Sequence, residues 1–327
     1  MNKDIADTFI KDWNSGQQEF TLRTSGSTGE PKSIVLEKRW MQWSASRTAE
    51  FMHPKDSDSL FCCLPLSRVG GLMMLVRSLE WQIPVEVVEP VANPLLKNYQ
   101  ANMISVTPYQ LFHIINDPVS FENLLRFREV LIGGGELSYH LSQIIRSLPE
   151  KTIFRHSYGM TETYSHIALR TLNGHEESEW FTAFHDVKVT ADEQQCAKIY
   201  TPFFKDGLPS KDIISLRPDG RFKVVGRIDF MINSGGVKLQ AELIEQTISE
   251  HIDTFTPFII SSIKDDALGE KLVLVCEDQK VFEHIEFNFL KAISPYAVPK
   301  KIIELNPLPL NEGGKTDRLK IRELINM

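Results

Sequence analysis

Between Thr24 and Lys32 the chain reads TSGSTGEPK, a run of small hydroxyl residues and glycines that ends on a lysine. That combination suits phosphate. Gly26 and Gly29 let the backbone turn its N–H groups inward, as in an anion nest. Ser25, Ser27 and Thr28 add short hydroxyl donors, Pro31 stiffens the exit and Lys32 adds charge. The spacing excludes a mononucleotide P-loop, which needs G-x-x-x-x-G-K-[ST]. It also excludes a dinucleotide loop, which needs G-x-G-x-x-G opening a helix. The flanking FTLRTS and SIVLEK read as two strands, so no helix N-terminus backs the loop. A glycine-rich surface turn has the same composition, and the loop alone leaves both readings open. Arg77 is the second residue of chemical interest. It sits in the apolar run GGLMMLVRSL, one helical turn from Met73 and Met74. An arginine there either carries its head out to solvent or faces an anion.

The elements that must position these residues follow from length and pattern. At 327 residues the chain is expected to form two domains. Apolar residues make up 42% and charged residues 24%, an ordinary globular balance. A net charge of -7 without a basic run argues against a nucleic-acid partner or an anionic membrane. The polar start MNKDIADTFIKDW does not resemble a signal peptide, and no apolar stretch has membrane-spanning length. The four cysteines fit neither a disulfide framework nor a C-x-x-C metal pattern, so reduced thiols in the cytoplasm are expected. SLFCCLPL, VEVVEP, MISVTP and EVLIGGG read as short buried strands. A helix at about 40–51 and the helical patterns GGLMMLVRSLEW, YQLFHIINDP and HLSQIIRSL alternate with them. This predicts an α/β domain with a largely parallel sheet. After Gly207 the texture changes. Two strands flank the Pro218-Asp219-Gly220 turn; LQAELIEQTISEH reads as a helix, PFIISSIKD and EKLVLVCED as strands, and HIEFNFLKAI as a further helix. A large domain at 1–226 and a small α+β domain at 227–327 are expected.

Four segments, in order, carry a resemblance across nearly the whole chain. They are TSGSTGEPK, YGMTET at Tyr158–Thr163, GRIDFMINSGGVKLQAELIE at Gly226–Glu245 and LPLNEGGKTDR at Leu308–Arg318. Together they resemble the adenylate-forming enzymes: acyl-CoA synthetases, luciferases and peptide-synthetase adenylation domains. The resemblance implies that fold, with a large α/β domain lacking the usual N-terminal subdomain and a small mobile C-terminal domain. It implies ATP, Mg²⁺ and CoA, and a two-step reaction through an acyl-adenylate. In that frame Thr24, Ser25, Gly26, Ser27, Thr28, Gly29 and Lys32 wrap the β- and γ-phosphates. Thr161 touches the α-phosphate and Glu162 holds Mg²⁺. Gly133, Gly134, Gly135 and Glu136 lie against adenine, with Tyr158 on its other side, and Ser157, Gly159 and Met160 also belong to the nucleotide site. Asp212 and Arg227 bind the ribose, although Lys211 stands where the family usually has glycine. Asp229 is the hinge, and Lys315 bridges the carboxylate and α-phosphate oxygens. Gly235, Gly236 and Lys238 line the thiol tunnel.

Within that superfamily the chain is most similar to the short o-succinylbenzoate–CoA ligases of menaquinone synthesis found in Bacteroidetes-type bacteria. GGLMMLVRSL, YGMTETYSHIALR and INSGGVK carry this likeness. It implies that Arg77 meets the ring carboxylate of a dianionic acid, with Ser165 and His166 beside it. Many family members have an aromatic–His pair after the LPL run. Here Ser67 and Arg68 stand in its place, and Arg68 is either a second anion contact or surface. Other outcomes are a ligase for another aromatic acid, a carrier-loading enzyme, and a non-catalytic module that binds AMP or an acyl-adenylate. A homodimer is a possible way to cover an exposed sheet.

Overall fold

The computed structural model describes residues 2–24, 32–252, 254, 256–311 and 316–327. Helix α1 (Asn2–Asn14) opens the chain, followed by the antiparallel hairpin β1 (Glu19–Thr24) and β2 (Lys32–Glu37). Phe9 and Trp13 of α1 pack on Phe20 of β1, and the Lys38 ammonium lies 4.6 Å from the Trp13 ring centre. Next come α2 (Lys38–Met52), β3 (Leu60–Cys62), α3 (Val69–Trp81), β4 (Val85–Val87), β5 (Met103–Val106), α4 (Pro108–Ile115), α5 (Pro118–Leu124), β6 (Glu129–Ile132), α6 (Tyr139–Arg146), β7 (Ile153–Met160), β8 (Ser165–Thr171) and β9 (Thr182–Ala183). One seven-stranded sheet runs β4-β3-β5-β6-β7-β8-β9, parallel as far as β7 and antiparallel beyond it. Strands β5 and β6 are buried at every position, as central strands of a parallel sheet must be. Fully buried side chains such as Phe61 and Phe154 each stabilise the core by about 1.5–3 kcal/mol relative to exposure.

Local chemistry sets the boundaries. Thr107 and Gln110 form a reciprocal capping box at the start of α4, and Pro108 occupies the first helical position, where its missing N–H costs nothing. Gly71 lets α3 pass close to the chain before it. A Cβ there would lie 2.3 Å from the Pro65 carbonyl oxygen, which no rotamer change could relieve.

The remaining elements are β10 (Lys188–Ala191), β11 (Cys196–Thr201), β12 (Phe204–Leu216), β13 (Phe222–Arg227), β14 (Met231–Ser234), β15 (Val237–Gln240), α7 (Ala241–His251), β16 (Phe258–Asp265), β17 (Gly269–Cys276), β18 (Ile302–Glu304) and α8 (Arg318–Ile325). Strands β10–β13 make an antiparallel sheet; β14–β18 make a second, mixed sheet. The second sheet has an apolar cluster around Ile244, Ile248, Leu274 and Phe282, and another around Val273, Val275, Leu308 and Ile321. The expected helix at HIEFNFLKAI is instead a 3₁₀ segment, Phe287–Ala292. It buries Phe287 and Leu290, three residues apart, which is the repeat of the tighter helix.

The chain divides into two compact units, one of Met1–Leu137 with Leu141–Val187, the other of Ser138–His140 with Lys188–Met327. This grouping places β10–β13 in the second unit. The reason lies at the end of β13. The Arg227 amide donates to Glu242 Oε1 at 3.1 Å, and Gln240 Nε2 donates to the Arg227 carbonyl at 3.1 Å. Gln240 at the end of β15 and Glu242 at the start of α7 thus hold the last residue of β13.

Candidate nucleotide and acid site

The YGMTET motif forms the end of β7 and its turn into β8. A bulge falls between Tyr158 and Gly159. A Cβ at Gly159 would lie 2.2 Å from the Ser165 carbonyl oxygen, so only glycine permits this crossing. Thr163, fully buried, organises the turn: its hydroxyl donates to the Ser165 carbonyl at 2.7 Å and accepts from the Met160 amide at 3.0 Å. Thr161 is half-buried and Glu162 exposed at the turn's tip. Motif reading assigned roles to Thr161 and Glu162 and missed Thr163, whose signal is only a hydroxyl residue in a four-residue turn.

The GGGE segment follows β6, which pairs with β7 in parallel. A Cβ on Gly133 would meet Ser157 Oγ at 2.5 Å, and Ser157 Oγ itself donates to the Ile132 carbonyl at 3.0 Å. Gly134 has φ +78°, a left-handed conformation that glycine adopts without strain. The Gly133–Glu136 segment thus leaves the carboxyl end of β6 beside Ser157 of the adjacent parallel strand. That is where open α/β sheets bind ligands. Tyr158 is buried, its ring centre 5.9 Å from that of Phe181.

Arg77 is 2% exposed, which excludes the solvent-facing alternative. Its Nη2 donates to Ser165 Oγ at 3.2 Å and lies 3.5 Å from His166 Nδ1; its Nη1 reaches Met74 Sδ at 3.6 Å. Among the described residues, no carboxylate lies within ion-pair distance of it. Burial lowers its pKa to about 10, so it stays charged at neutral pH. The neighbouring Cys62 thiol is pushed up to about 11 by burial and stays neutral. The tautomer of His166 follows from its other partner. The Thr48 hydroxyl donates to the Ser44 carbonyl at 2.8 Å, so it can only accept from His166 Nε2, 3.0 Å away. Nδ1 is then a bare acceptor. Burial, with Arg77 adding to it, holds the ring pKa well below the ordinary histidine value. Arg77 is thus a buried cation faced only by neutral acceptors, an arrangement that costs stability without an anion. Met52, Leu60, Met74, Trp81 and Met103 line the same pocket as Arg77. Arg68, partly exposed, precedes α3 without capping it through its side chain.

In the second unit, Asp212 and Arg227 face each other across β12 and β13, and Arg227 Nη1 donates to Asp212 Oδ1 at 2.9 Å. Arg227 Nη2 also donates to Asp229 Oδ2 at 3.1 Å, and Lys211 Nζ donates to Asp229 Oδ1 at 2.9 Å. Asp229 lies in a 3₁₀ turn, Ile228–Phe230. Burial raises its pKa, but the bonds from Lys211 and Arg227 and their charges outweigh this and lower it overall. Gly235 and Gly236, with φ +60° and +81°, form the two-residue turn between β14 and β15. Two successive left-handed residues are what a tight hairpin of this hand requires, so the turn accounts for both glycines before any ligand is considered. Lys238 is exposed on β15.

Residues Ser25, Gly26, Ser27, Thr28, Gly29, Pro31 and Lys315 lie outside the described residues, as do the side chains of Thr24 and Lys32. In the hairpin register Thr24 stands opposite Lys32. Among the described residues no group of three or more His, Cys, Asp or Glu side chains is arranged to hold a metal ion. No helix among them is long and apolar enough to cross a membrane.

A fold with these strand-end loops, and a chain matched by the AMP-binding enzyme family over residues 20–195, define the class: the chain belongs to the AMP-binding enzymes. Its architecture is the adenylate-forming fold. It is similar to the 2-succinylbenzoate–CoA ligase of Listeria monocytogenes serovar 1/2a, at 28% identity over 96% of this chain and 72% of the relative. It is also similar to the acyl-CoA synthetase (AMP-forming)/AMP-acid ligase II-like protein of Dyadobacter fermentans. That structure is 30% identical, with TM-score 0.63, and the match covers 98% of this chain and 93% of that one. The o-succinylbenzoate CoA synthetase of Bacillus subtilis, solved with the acyl-adenylate OSB-AMP, shares the fold at TM-score 0.73 and 20% identity. This chain spans 68% of that structure's length.

Proposed function

We propose that this chain is an AMP-forming acid–CoA ligase that acts on o-succinylbenzoate. In the first step an oxygen of the succinyl carboxylate attacks the α-phosphorus of ATP. The bond from that phosphorus to the bridging oxygen breaks, pyrophosphate leaves and an acyl-adenylate remains. In the second step the CoA sulfur attacks the acyl carbon, the acyl–oxygen bond to AMP breaks, and the thiol proton passes to water. Neither step needs a covalent enzyme intermediate. The protein's task is to position the reactants and balance their charge.

The observation that carries the substrate is Arg77. A buried guanidinium with only neutral partners supplies the cation that a second, unreacting carboxylate requires, and Ser165 and His166 complete its surroundings. The ring carboxylate of o-succinylbenzoate fits that requirement; a monoacid does not use it. The Gly133–Glu136 loop and Tyr158 hold adenine, Asp212 and Arg227 the ribose hydroxyls, and Thr161 the α-phosphate. The Thr24–Lys32 loop holds the leaving phosphates, and Lys315 bridges the reacting oxygens. Glu162, exposed on its turn, suits Mg²⁺, which binds proteins through one or two carboxylates plus substrate phosphate oxygens. Bound there, Mg²⁺ would offset charge on the phosphates. Gly235, Gly236 and Lys238 flank the CoA arm, and Asp229 is the pivot between the half-reactions. The four buried free thiols agree with a cytoplasmic enzyme of menaquinone synthesis.

Pyrophosphate release over a panel of small carboxylic acids, with and without CoA, tests this reading. Selective release with o-succinylbenzoate supports it. Equal release with benzoates that lack a second carboxylate assigns the chain to another aromatic acid. ATP binding without release from any acid contradicts catalysis.

A further inference from the structure

His156 is buried on β7, and its two ring nitrogens have different partners. Nε2 lies 3.0 Å from the Gly135 carbonyl oxygen. A carbonyl can only accept, so Nε2 carries the hydrogen. Nδ1 lies 3.1 Å from Arg170 Nη2, which can only donate, so Nδ1 is the bare acceptor. Burial, with the charge of Arg170 adding to it, lowers the ring pKa to about 3 and keeps it neutral. The geometry therefore fixes one tautomer.

Arg170 is itself well placed to enforce this. It sits on β8 opposite His156 in the strand register. Its Nη1 donates to the Glu179 carbonyl at 3.1 Å, and its guanidinium lies 4.8 Å from the Phe181 ring centre. The same Phe181 ring stands 5.4 Å from the His156 ring and 5.9 Å from that of Tyr158. One arginine thus reaches both sides of the expected adenine pocket: the Gly133–Glu136 loop through His156, and Tyr158 through Phe181.

We propose that Arg170 and His156 are positioning residues for the nucleotide. Arg170 fixes the tautomer of His156, and His156 Nε2–H holds the Gly135 carbonyl so that the glycine loop presents a set surface to adenine. Gly134, in its left-handed conformation, has no side chain to stiffen the loop, so a bond from the neighbouring strand supplies the restraint. This inference rests on the proposed nucleotide role of that loop.

The test compares two polar replacements that differ in which ring nitrogen they imitate. Gln at 156 keeps a donor near Nε2; Asn keeps a polar atom only near Nδ1. His156→Asn is expected to raise the KM for ATP about tenfold, the loss of one bond of ~1.4 kcal/mol. The KM for the acid should move by no more than about twofold. His156→Gln should recover most of the loss, and Arg170→Met should behave like His156→Asn. Equal KM values for the Asn and Gln variants, or a loss that falls equally on ATP and acid, would overturn the proposal. Should the variants not fold, ¹⁵N-histidine spectra of the wild-type protein decide. A ring protonated at Nε2, untitrated from about pH 5 to 8 and perturbed by AMP, supports the relay; the Nδ1–H tautomer overturns it. A wild-type protein that releases no pyrophosphate contradicts the functional reading instead, and leaves the spectra to judge the relay.

Discussion

At the scale of single residues, the buried arginine carries the most consequence. Arg77 has given up water and gained no counter-ion, an arrangement that costs stability unless a ligand supplies the charge. Arg77→Met should therefore raise the melting temperature of the ligand-free protein by about 5 °C, the effect of removing an uncompensated buried charge. The same variant should raise the KM for o-succinylbenzoate about 10–100-fold, since a charge-assisted bond contributes about 1.5–3 kcal/mol, and leave the KM for ATP unchanged. Thermal melts and steady-state kinetics check the pair; a variant both less stable and unaltered in acid KM would return Arg77 to a structural role. The sequence left two directions open for this side chain, because an apolar run around an arginine looks alike whether its head is buried or wet. His156 and Thr48 were not legible at all. Each acts through a partner far along the chain, and no local spacing announces a bond between His156 and Gly135 or between Thr48 and His166.

At the scale of elements, most strands and helices of the large sheet were legible. Their apolar runs end in Pro65, Pro108 or Gly133, where the local chemistry stops a strand or starts a helix. The 3₁₀ segment at Phe287–Ala292 was not, because its buried pair at three-residue spacing also fits an α-helix. The β7–β8 turn depends on a backbone crossing that only glycine permits. Gly159→Ala should cost about 1–3 kcal/mol in urea unfolding and reduce pyrophosphate release, because the strain falls on the Ser165 carbonyl rather than on a flexible side chain. An alanine variant of native stability would show that the bulge can shift without cost. In the second unit, Lys211 pairs with Asp229. The pair is exposed, so it is worth about 0.2–1 kcal/mol. If Asp229 is the pivot, Lys211→Gly should change the ratio of the adenylation and thioester rates by at most about fivefold, and more at low salt. A ratio that stays constant across salt concentrations would separate this pair from any pivot.

At the scale of the whole molecule, an ion-pair network stands beneath the amino ends of the parallel strands. Arg128 Nη2 meets Asp58 Oδ2 at 2.7 Å, and Arg155 Nε meets Glu129 Oε2 at 3.2 Å. Burial raises the Asp58 carboxyl, but the Lys55 amide, the Arg128 guanidinium and the Asn102 amide outweigh it and hold it below its ordinary 3.8. A carboxyl lowered by folding adds stability above its unfolded pKa and loses it as pH falls through the folded value. The stability gap between wild type and Asp58→Asn should therefore be full well above pH 3.8 and close as the pH falls below it in urea titrations. A gap that does not vary with pH would contradict this. Length and texture led to the expectation of two domains, and the contacts group the chain into two compact units. Sequence texture changes after Gly207, and contacts from Gln240 and Glu242 tie the end of β13 to β15 and α7. One chain carries out both halves of an acid–thiol ligation through a free acyl-adenylate. Mass spectrometry of a single turnover separates the two halves. With ATP and o-succinylbenzoate alone, the acyl-adenylate and pyrophosphate should form in equal amounts, and added CoA should convert the adenylate to acyl-CoA and AMP. Release of ADP or phosphate, or an acyl-adenylate that CoA leaves untouched, would contradict it.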